Sequence, residues 1–136
     1  AVVILVILGV FLFTAVIGIV AAVALPAYQD YMSKVKVSTA LIELAPLKLK
    51  VEEYYLTQGR LPMENSELGL DDPHTIAEGN TVTITQEGLR IDFNEQTPGL
   101  YSETLTLTPV ELQSSIVWEC FGGTLENKYR PPNCRN

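Results

Sequence analysis

The chain has 136 residues and carries a formal net charge of −7. This acidic balance argues against a protein that binds nucleic acid or anionic lipid through a basic patch, because both contacts need clustered lysine and arginine side chains. Beyond an apolar N-terminal segment about 110 residues remain, which is enough for one small domain with a modest core.

The N-terminal segment, residues 1–26, contains no charged side chain. As a helix, Ala1–Leu25 spans about 37 Å, and the hydrocarbon core of a bilayer is ~30 Å thick. A helix is predicted despite the many valine and isoleucine residues, because lipid offers the backbone no hydrogen bonds. Gly9 and Gly18 let neighbouring helices approach closely, and Pro26 removes one helical hydrogen bond and predicts a kink. The segment is therefore predicted to lie in a membrane or in a bundle of identical helices.

An amphipathic helix is predicted over residues 27–58, because apolar side chains recur at helical spacing on one stripe. Pro46 is expected to bend this helix and Gly59 to end it. The stripe consists of Val37, Ala40, Leu41, Leu44, Leu47, Val51, Tyr54 and Tyr55. A second, thinner stripe includes Val35, Ile42, Ala45 and Leu49. The second stripe is either a packing surface for partner subunits, with Ile42 as its test position, or a row of ordinary exposed aliphatic side chains.

Residues 59–79 lack a sustained period and predict a connecting loop. Residues 80–121 predict an antiparallel sheet, because short segments there alternate between apolar and polar side chains. The four expected strands are VTIT (82–85), LRIDF (89–93), LYSETLTLT (100–108) and SSIVWECF (114–121). One long helix followed by four antiparallel strands indicates an α+β domain over residues 27–136, with the helix stripe covering one face of the sheet.

Two cysteines, Cys120 and Cys134, lie close together near the C-terminus. Behind a membrane-crossing segment they predict a disulfide bond in an oxidising compartment, which closes a loop over residues 120–134. Closing a loop of about 15 residues contributes ~3 kcal/mol in the chain-entropy model. Zinc is a weaker interpretation, because two cysteines and one distant histidine do not supply four ligands. The loop is also predicted to be a locally basic contact surface for a neighbouring subunit or a receptor. Its basic side chains are Lys128, Arg130 and Arg135.

No catalytic, cofactor-binding or metal site is predicted. His74 is the only histidine, and it lies in an acidic loop without an evident nucleophile. The chain has no glycine-rich phosphate loop, no G-x-S-x-G sequence and no HExxH sequence. We therefore expect a structural or interaction protein and not an enzyme.

Three stretches resemble bacterial type IV pilins of the type IVa kind, in the order and approximate spacing of that family. They are ALPAYQDYMSKVKVSTAL (24–41), VEEYYLTQGRLP (51–62) and IVWECFGGTLENKYRPPNC (116–134). The resemblance implies a lollipop shape, in which a long helix packs its second half on a four-stranded antiparallel sheet. It also implies a C-terminal loop closed by a disulfide bond.

The same resemblance implies a structural subunit of a helical filament of identical subunits. The subunit waits in the inner membrane, and assembly machinery there transfers it into an extracellular pilus with the apolar helices in the filament core. Surface adhesion, twitching motility and DNA uptake are the activities that the family implies. The net negative charge argues against direct binding of nucleic acid by this subunit.

The sequence departs from the family pattern near its N-terminus. Pilins usually begin at a phenylalanine and have a glutamate four residues later; aligned on Pro26, these positions fall at Leu5 and Gly9. In the family this glutamate is thought to pair with a neighbour's terminal amine and to set the register of assembly. Its replacement supports a second hypothesis, a membrane-anchored pilin-like module or minor pilin that does not polymerise and serves as a periplasmic interaction domain.

Overall fold

The N-terminal part of the molecule is a long helical rod. The computed structural model describes residues 1–94 and 97–136. Helix α1 spans Val2–Glu43 and helix α2 spans Ala45–Gln58. Leu44 between them keeps right-handed helical angles, with φ −75° and ψ −11°. The chain therefore continues as one rod through this break.

The two prolines of the rod have different effects. The break between α1 and α2 lies two residues before Pro46, because proline has no N–H for the carbonyl of Ile42 and its ring crowds the preceding turn. Pro26 lies inside α1 without interrupting it. Gly59 follows the last residue of α2 with a left-handed φ of 70°, as predicted for a helix C-cap.

The predicted apolar stripe is the buried face of the rod. Its central members are between 0% and 7% exposed, namely Val37, Ala40, Leu44, Leu47 and Val51. They form one hydrophobic core with the inner face of the sheet. The sheet residues in that core include Val82, Ile84, Leu89, Ile91, Leu105 and Leu107. Helical spacing in the rod and alternation in the strands thus bring the two apolar faces together.

One antiparallel sheet of five strands, in the order β1-β2-β3-β4-β5, forms over the described residues. Its strands are β1 His74–Thr75, β2 Thr81–Thr85, β3 Gly88–Asp92, β4 Thr104–Leu112 and β5 Ser115–Gly122. A tight turn joins β2 and β3 and ends at Gly88, whose φ is 126°. A Cβ at this position would collide with the Leu107 carbonyl on β4, so glycine is required for the sheet to close there.

The α+β class is confirmed, but the prediction of four strands was wrong by one. The additional strand, β1, lies within the stretch predicted as a loop over 59–79 and pairs His74 with Val82. Two residues are too short to show alternation, so only pairing with β2 makes them a strand.

The strand predicted at 100–108 begins later, at Thr104. The residues before it form a turn in which the N–H of Ser102 donates to the Phe93 carbonyl at 3.0 Å. Leu100 is fully buried beneath this turn. In the sequence, Leu100 therefore looks like an inward-facing strand residue, although it packs in the core from a turn.

The connection between α2 and β1 contains a buried polar anchor. Asn65 starts a 3₁₀ turn, Asn65–Leu68, and is 1% exposed. Its amide accepts a hydrogen bond from the N–H of Ile84 and donates to the Val82 carbonyl at 3.0 Å and to the Asp71 carbonyl at 2.8 Å. These bonds attach the connection to β2, and the sequence pattern did not reveal them.

Candidate assembly interface

The apolar arm, residues 1–29, lies outside the packed head, residues 30–136. Every side chain of the arm is exposed, and the first half-buried residue is Asp30. An 18-residue window of this helix has a mean hydropathy of 3.1, and none of that window is buried. A helix of this length and composition is long enough to cross a bilayer, and its apolar surface is unfavourable in water.

Two glycines of the arm have open space beside them, apart from their own helix, among the residues that the structure describes. A Cβ built on Gly9 or Gly18 would have no atom within 4 Å. Their small size therefore serves no packing purpose inside a single subunit. Their predicted role, together with that of Pro26, in packing against neighbouring helices stays a prediction.

Directly after the arm, α1 is attached to the parts of the head that lie far from it in the sequence. Ser33 is fully buried, and its hydroxyl oxygen lies 2.8 Å from the carbonyl oxygen of Pro98. The Tyr129 hydroxyl donates to the carboxylate of Asp30 at 3.1 Å. These contacts join groups far apart in the sequence and determine where the rod leaves the head.

The second stripe of the rod is exposed along the head. Ile42 is 72% exposed and Leu49 is 66% exposed, and Val35 lies seven residues before Ile42. Leu56, which was not predicted as a member, continues the seven-residue spacing and is also exposed. A row of aliphatic side chains on one face of a helix is typical of a helix-packing surface. Which partner covers this row stays a prediction.

The C-terminal loop has the disulfide bond predicted between Cys120 and Cys134. The prediction that Arg130 makes this loop a basic surface was wrong, since Arg130 is 4% exposed. Its guanidinium lies among backbone carbonyls and has an interior role, whereas Lys128 and Arg135 are exposed.

Four backbone carbonyls accept hydrogen bonds from the buried guanidinium of Arg130. They belong to Cys120, Gly122, Gly123 and Leu125. Burial lowers the pKa of this guanidinium from its usual value, because desolvation penalises the charged form. An arginine still stays charged at neutral pH, so a cation with carbonyl partners holds the loop to the end of β5.

A second attachment joins α2 to the sheet at β5. The indole N–H of Trp118 donates to the Glu52 carboxylate at 3.0 Å. Lys48, which interrupts the predicted apolar stripe, places its ammonium 5.9 Å from the centre of the same indole ring. The polar ends of both side chains thus reach the edge of the helix–sheet layer, while their apolar parts cover the core.

An ion pair fixes the turn that follows α2. The Arg60 guanidinium lies 2.6 Å from the Glu67 carboxylate, which also accepts the backbone N–H of Met63 at 2.6 Å. Hydrogen bonding from Arg60 lowers the Glu67 pKa to about 2, and the bond from Met63 adds to this effect. His74, the single histidine, lies on the edge strand β1. Within the described residues, no three metal-ligating side chains of His, Cys, Asp or Glu lie together.

This combination of an exposed apolar helix, a packed α+β head and a disulfide-closed C-terminus is the architecture of a helix-anchored structural subunit. Comparison with known proteins identifies its family, because the model of the pilins, described as bacterial filament proteins, matches residues 33–135. The chain belongs to the bacterial type IV pilin family. That family is structural and not enzymatic.

Several curated proteins are similar over most of their length. Fimbrial protein EcpC of Eikenella corrodens is 33% identical over 128 residues, which cover 90% of this chain and 83% of that protein. Type IV major pilin protein PilE1 of Neisseria gonorrhoeae is 30% identical over 146 residues, covering 90% and 87%. The type IV major alpha-pilin of Moraxella bovis is 31% identical over 134 residues, covering 85% and 83%.

Proposed function

We propose that this chain is the structural subunit of a type IV pilus-like filament and polymerises through its apolar arm. The observation that carries the proposal is the arm itself, residues 1–29, which is uncharged and fully exposed on a head with a closed core. Moving one large aliphatic or aromatic side chain from water to a fully buried site is favourable by about 1.5–3 kcal/mol. Arms of identical subunits supply such a burial site for one another.

Before assembly, the arm is stored in the inner membrane. Lipid and a helix bundle are equally apolar, so transfer between them depends on close packing and not on the hydrophobic effect. Gly9 and Gly18 lie nine residues apart and therefore on opposite faces of the helix, so each offers a separate flat spot to a different neighbouring arm. The inner-membrane assembly machinery of type IV pili carries out this transfer, and the head then lies on the outside of an extracellular pilus. Adhesion, twitching motility and DNA uptake are the candidate uses of that pilus, and the acidic head argues against direct DNA binding by this subunit.

Gly18→Leu and Ile42→Asp test the proposal, because neither change disturbs the isolated subunit. Gly18 has open space around it, and Ile42 is 72% exposed. We expect both variants to reduce the yield of filaments sheared from cells while leaving the head folded. Ile42→Val keeps an aliphatic side chain at the same position and is the matched control, with filament yield close to wild type. Electron microscopy of the sheared fraction and its composition give the readout. Normal filament yield in both test variants would contradict polymerisation through these faces.

The second candidate is a membrane-anchored module or minor pilin that does not polymerise. Gly9 supports it, since this residue stands where the family has the glutamate that sets register. The two functions differ in where the protein is found. A filament subunit is the main component of the sheared surface fraction, whereas an anchored module remains entirely in the inner-membrane fraction.

A further inference from the structure

The base of the head, which is the end from which the arm emerges, carries exposed tyrosines. Tyr28 and Tyr31 lie about one turn apart on α1 and are each 62% exposed. Tyr101, far away in the sequence, is also 62% exposed. Tyrosine is enriched at the boundary between hydrocarbon and water, because its ring is apolar and its hydroxyl is polar.

The turn that carries Tyr101 is held against the rod at Ser33, five residues beyond Tyr28. Pro98, in the same turn, has its carbonyl oxygen 2.8 Å from the Ser33 hydroxyl oxygen. Tyr101 lines a surface groove together with Pro98 and Gly99. The three tyrosines therefore lie at a similar level along the rod, with Tyr28 and Tyr31 on the side of α1 that faces away from the turn carrying Tyr101.

The length of the arm brings this end to the membrane surface. A hydrocarbon core of ~30 Å takes up about 20 helical residues, and the first charged side chain of the chain is Asp30. Ser33 lies only about 7.5 Å along the helix from Tyr28. The headgroup layer on each side of a bilayer is about 5–8 Å thick. When Tyr28 lies at the inner edge of that layer, the Pro98 turn on Ser33 reaches its outer part.

The charges at the base do not form a basic patch, because Glu103 lines the same groove as Tyr101 and Asp30 lies between Tyr28 and Tyr31. Lys128 lies 3.7 Å from Glu126, and Lys36 lies 3.8 Å from Glu78. With these pairs and a chain charge of −7, anionic lipid has little electrostatic advantage over zwitterionic lipid. Aromatic side chains are the feature of this end that matches a lipid surface.

We propose that, before assembly, the base of the head docks on the lipid headgroups through Tyr28, Tyr31 and Tyr101. This inference rests on the proposed membrane stage of the function and adds a surface of the head to it. Docking fixes the depth of the arm and holds the head upright on the bilayer. The exposed stripe along the rod then stays free for a neighbouring subunit.

Tryptophan fluorescence in bilayer nanodiscs tests the docking with the full-length protein at one copy per disc. The discs contain phosphatidylcholine, of which a fraction has a nitroxide on its headgroup that quenches nearby tryptophan. Trp118→Phe removes the natural tryptophan, and Tyr28→Trp, Tyr101→Trp and Tyr54→Trp are then introduced one at a time. Tyr54 is the control, because it lies about 39 Å beyond Tyr28 along the rod.

We expect Tyr28→Trp and Tyr101→Trp to lose most of their fluorescence and Tyr54→Trp to lose little, with the same pattern when anionic lipid is added. Quenching of Tyr28→Trp without quenching of Tyr101→Trp overturns the docking and leaves the membrane stage intact. If neither Tyr28→Trp nor Tyr101→Trp is quenched, the proposed membrane stage is overturned as well. Strong quenching of Tyr54→Trp would show that the head does not stand upright on the bilayer, and would overturn the proposal. Quenching of Tyr101→Trp only with anionic lipid would show that charge, and not the tyrosine rings, makes the contact, and would overturn it too.

Discussion

Replacing the buried arginine of the C-terminal loop is expected to destabilise the head strongly while its disulfide bond stays intact. Arg130 is 4% exposed and donates to four backbone carbonyls at 2.7–3.2 Å. Arg130→Met keeps an unbranched apolar stem but removes every donor. The change therefore tests the hydrogen bonds more than the packing.

The most buried acceptors determine the size of the effect. The bonds to Leu125 and Cys120, at 2.7 and 3.1 Å, are buried, and an unsatisfied buried acceptor costs about 1–3 kcal/mol. The carbonyls of Gly122 and Gly123 are partly buried, so water replaces the lost donor there. Removing a cation from the interior returns part of the cost of its desolvation. We expect the free energy of unfolding to fall by about 2–4 kcal/mol, from a total of about 5–15 kcal/mol for a domain of this kind.

Urea unfolding of the detergent-solubilised protein, followed by Trp118 fluorescence, measures this loss, since Trp118 lies on β5 beside the loop. Arg130→Lys is expected to fall between wild type and Arg130→Met, because an ammonium lacks the planar fork of donors. Arg90→Met is the matched control on the surface, where an exposed ion pair contributes about 0–1 kcal/mol. If Arg130→Met were no less stable than Arg90→Met, the carbonyl cluster would not stabilise the loop, and the reasoning would be refuted.

Three further predictions concern the disulfide bond, a buried amide and acid stability. Cys120→Ser is expected to lower the free energy of unfolding by about 2–5 kcal/mol, and an unchanged melting temperature would count against a stabilising bond. Asn65→Leu leaves one backbone N–H and two carbonyls without partners, so about 2–4 kcal/mol is expected to be lost in the same urea experiment; a loss below that of a surface substitution would show that water replaces the amide. Glu67 has its pKa lowered from 4.5 to about 2, mainly by Arg60, so the stability this pair adds is present above pH 4.5 and is lost as the pH falls towards 2. Hydrogen-exchange protection of the Met63 amide should decrease across that window in wild type and stay low throughout in Glu67→Gln, whereas a flat wild-type profile would contradict this assignment.

Periodic and compositional signals in the chain predicted the parts of the fold that depend on neighbouring residues. The stripe from Val37 to Val51 identified the buried face of the rod, because a helix brings residues three and four apart onto one side. Alternation located β2, β3 and β5 to within a residue or two. It failed at Leu100, whose buried side chain belongs to a turn.

Contacts between distant residues escaped the same signals. The sequence around Asn65 reads as a polar loop, and only the approach of β2 makes its amide an internal anchor. From the sequence, Arg130 is expected to be a surface charge, whereas in the folded chain four backbone carbonyls surround its guanidinium. Tyr101 gives no sign in the sequence that it shares an end of the head with Tyr28. In each case the partners come from other parts of the chain, and no local pattern encodes where those parts meet.

By itself, the order of residues determined that this protein has an uncharged helix long enough for a bilayer, an amphipathic continuation of it, an antiparallel sheet and a disulfide-closed C-terminus. Each of these depends on composition or on short-range spacing. The tertiary structure alone decided that the Arg130 cation is internal, where the head contacts α1 and which side chains remain exposed for a partner. These outcomes depend on desolvation and hydrogen bonding between distant groups, such as the Tyr129 hydroxyl and the Asp30 carboxylate, and such groups meet only when the chain has folded.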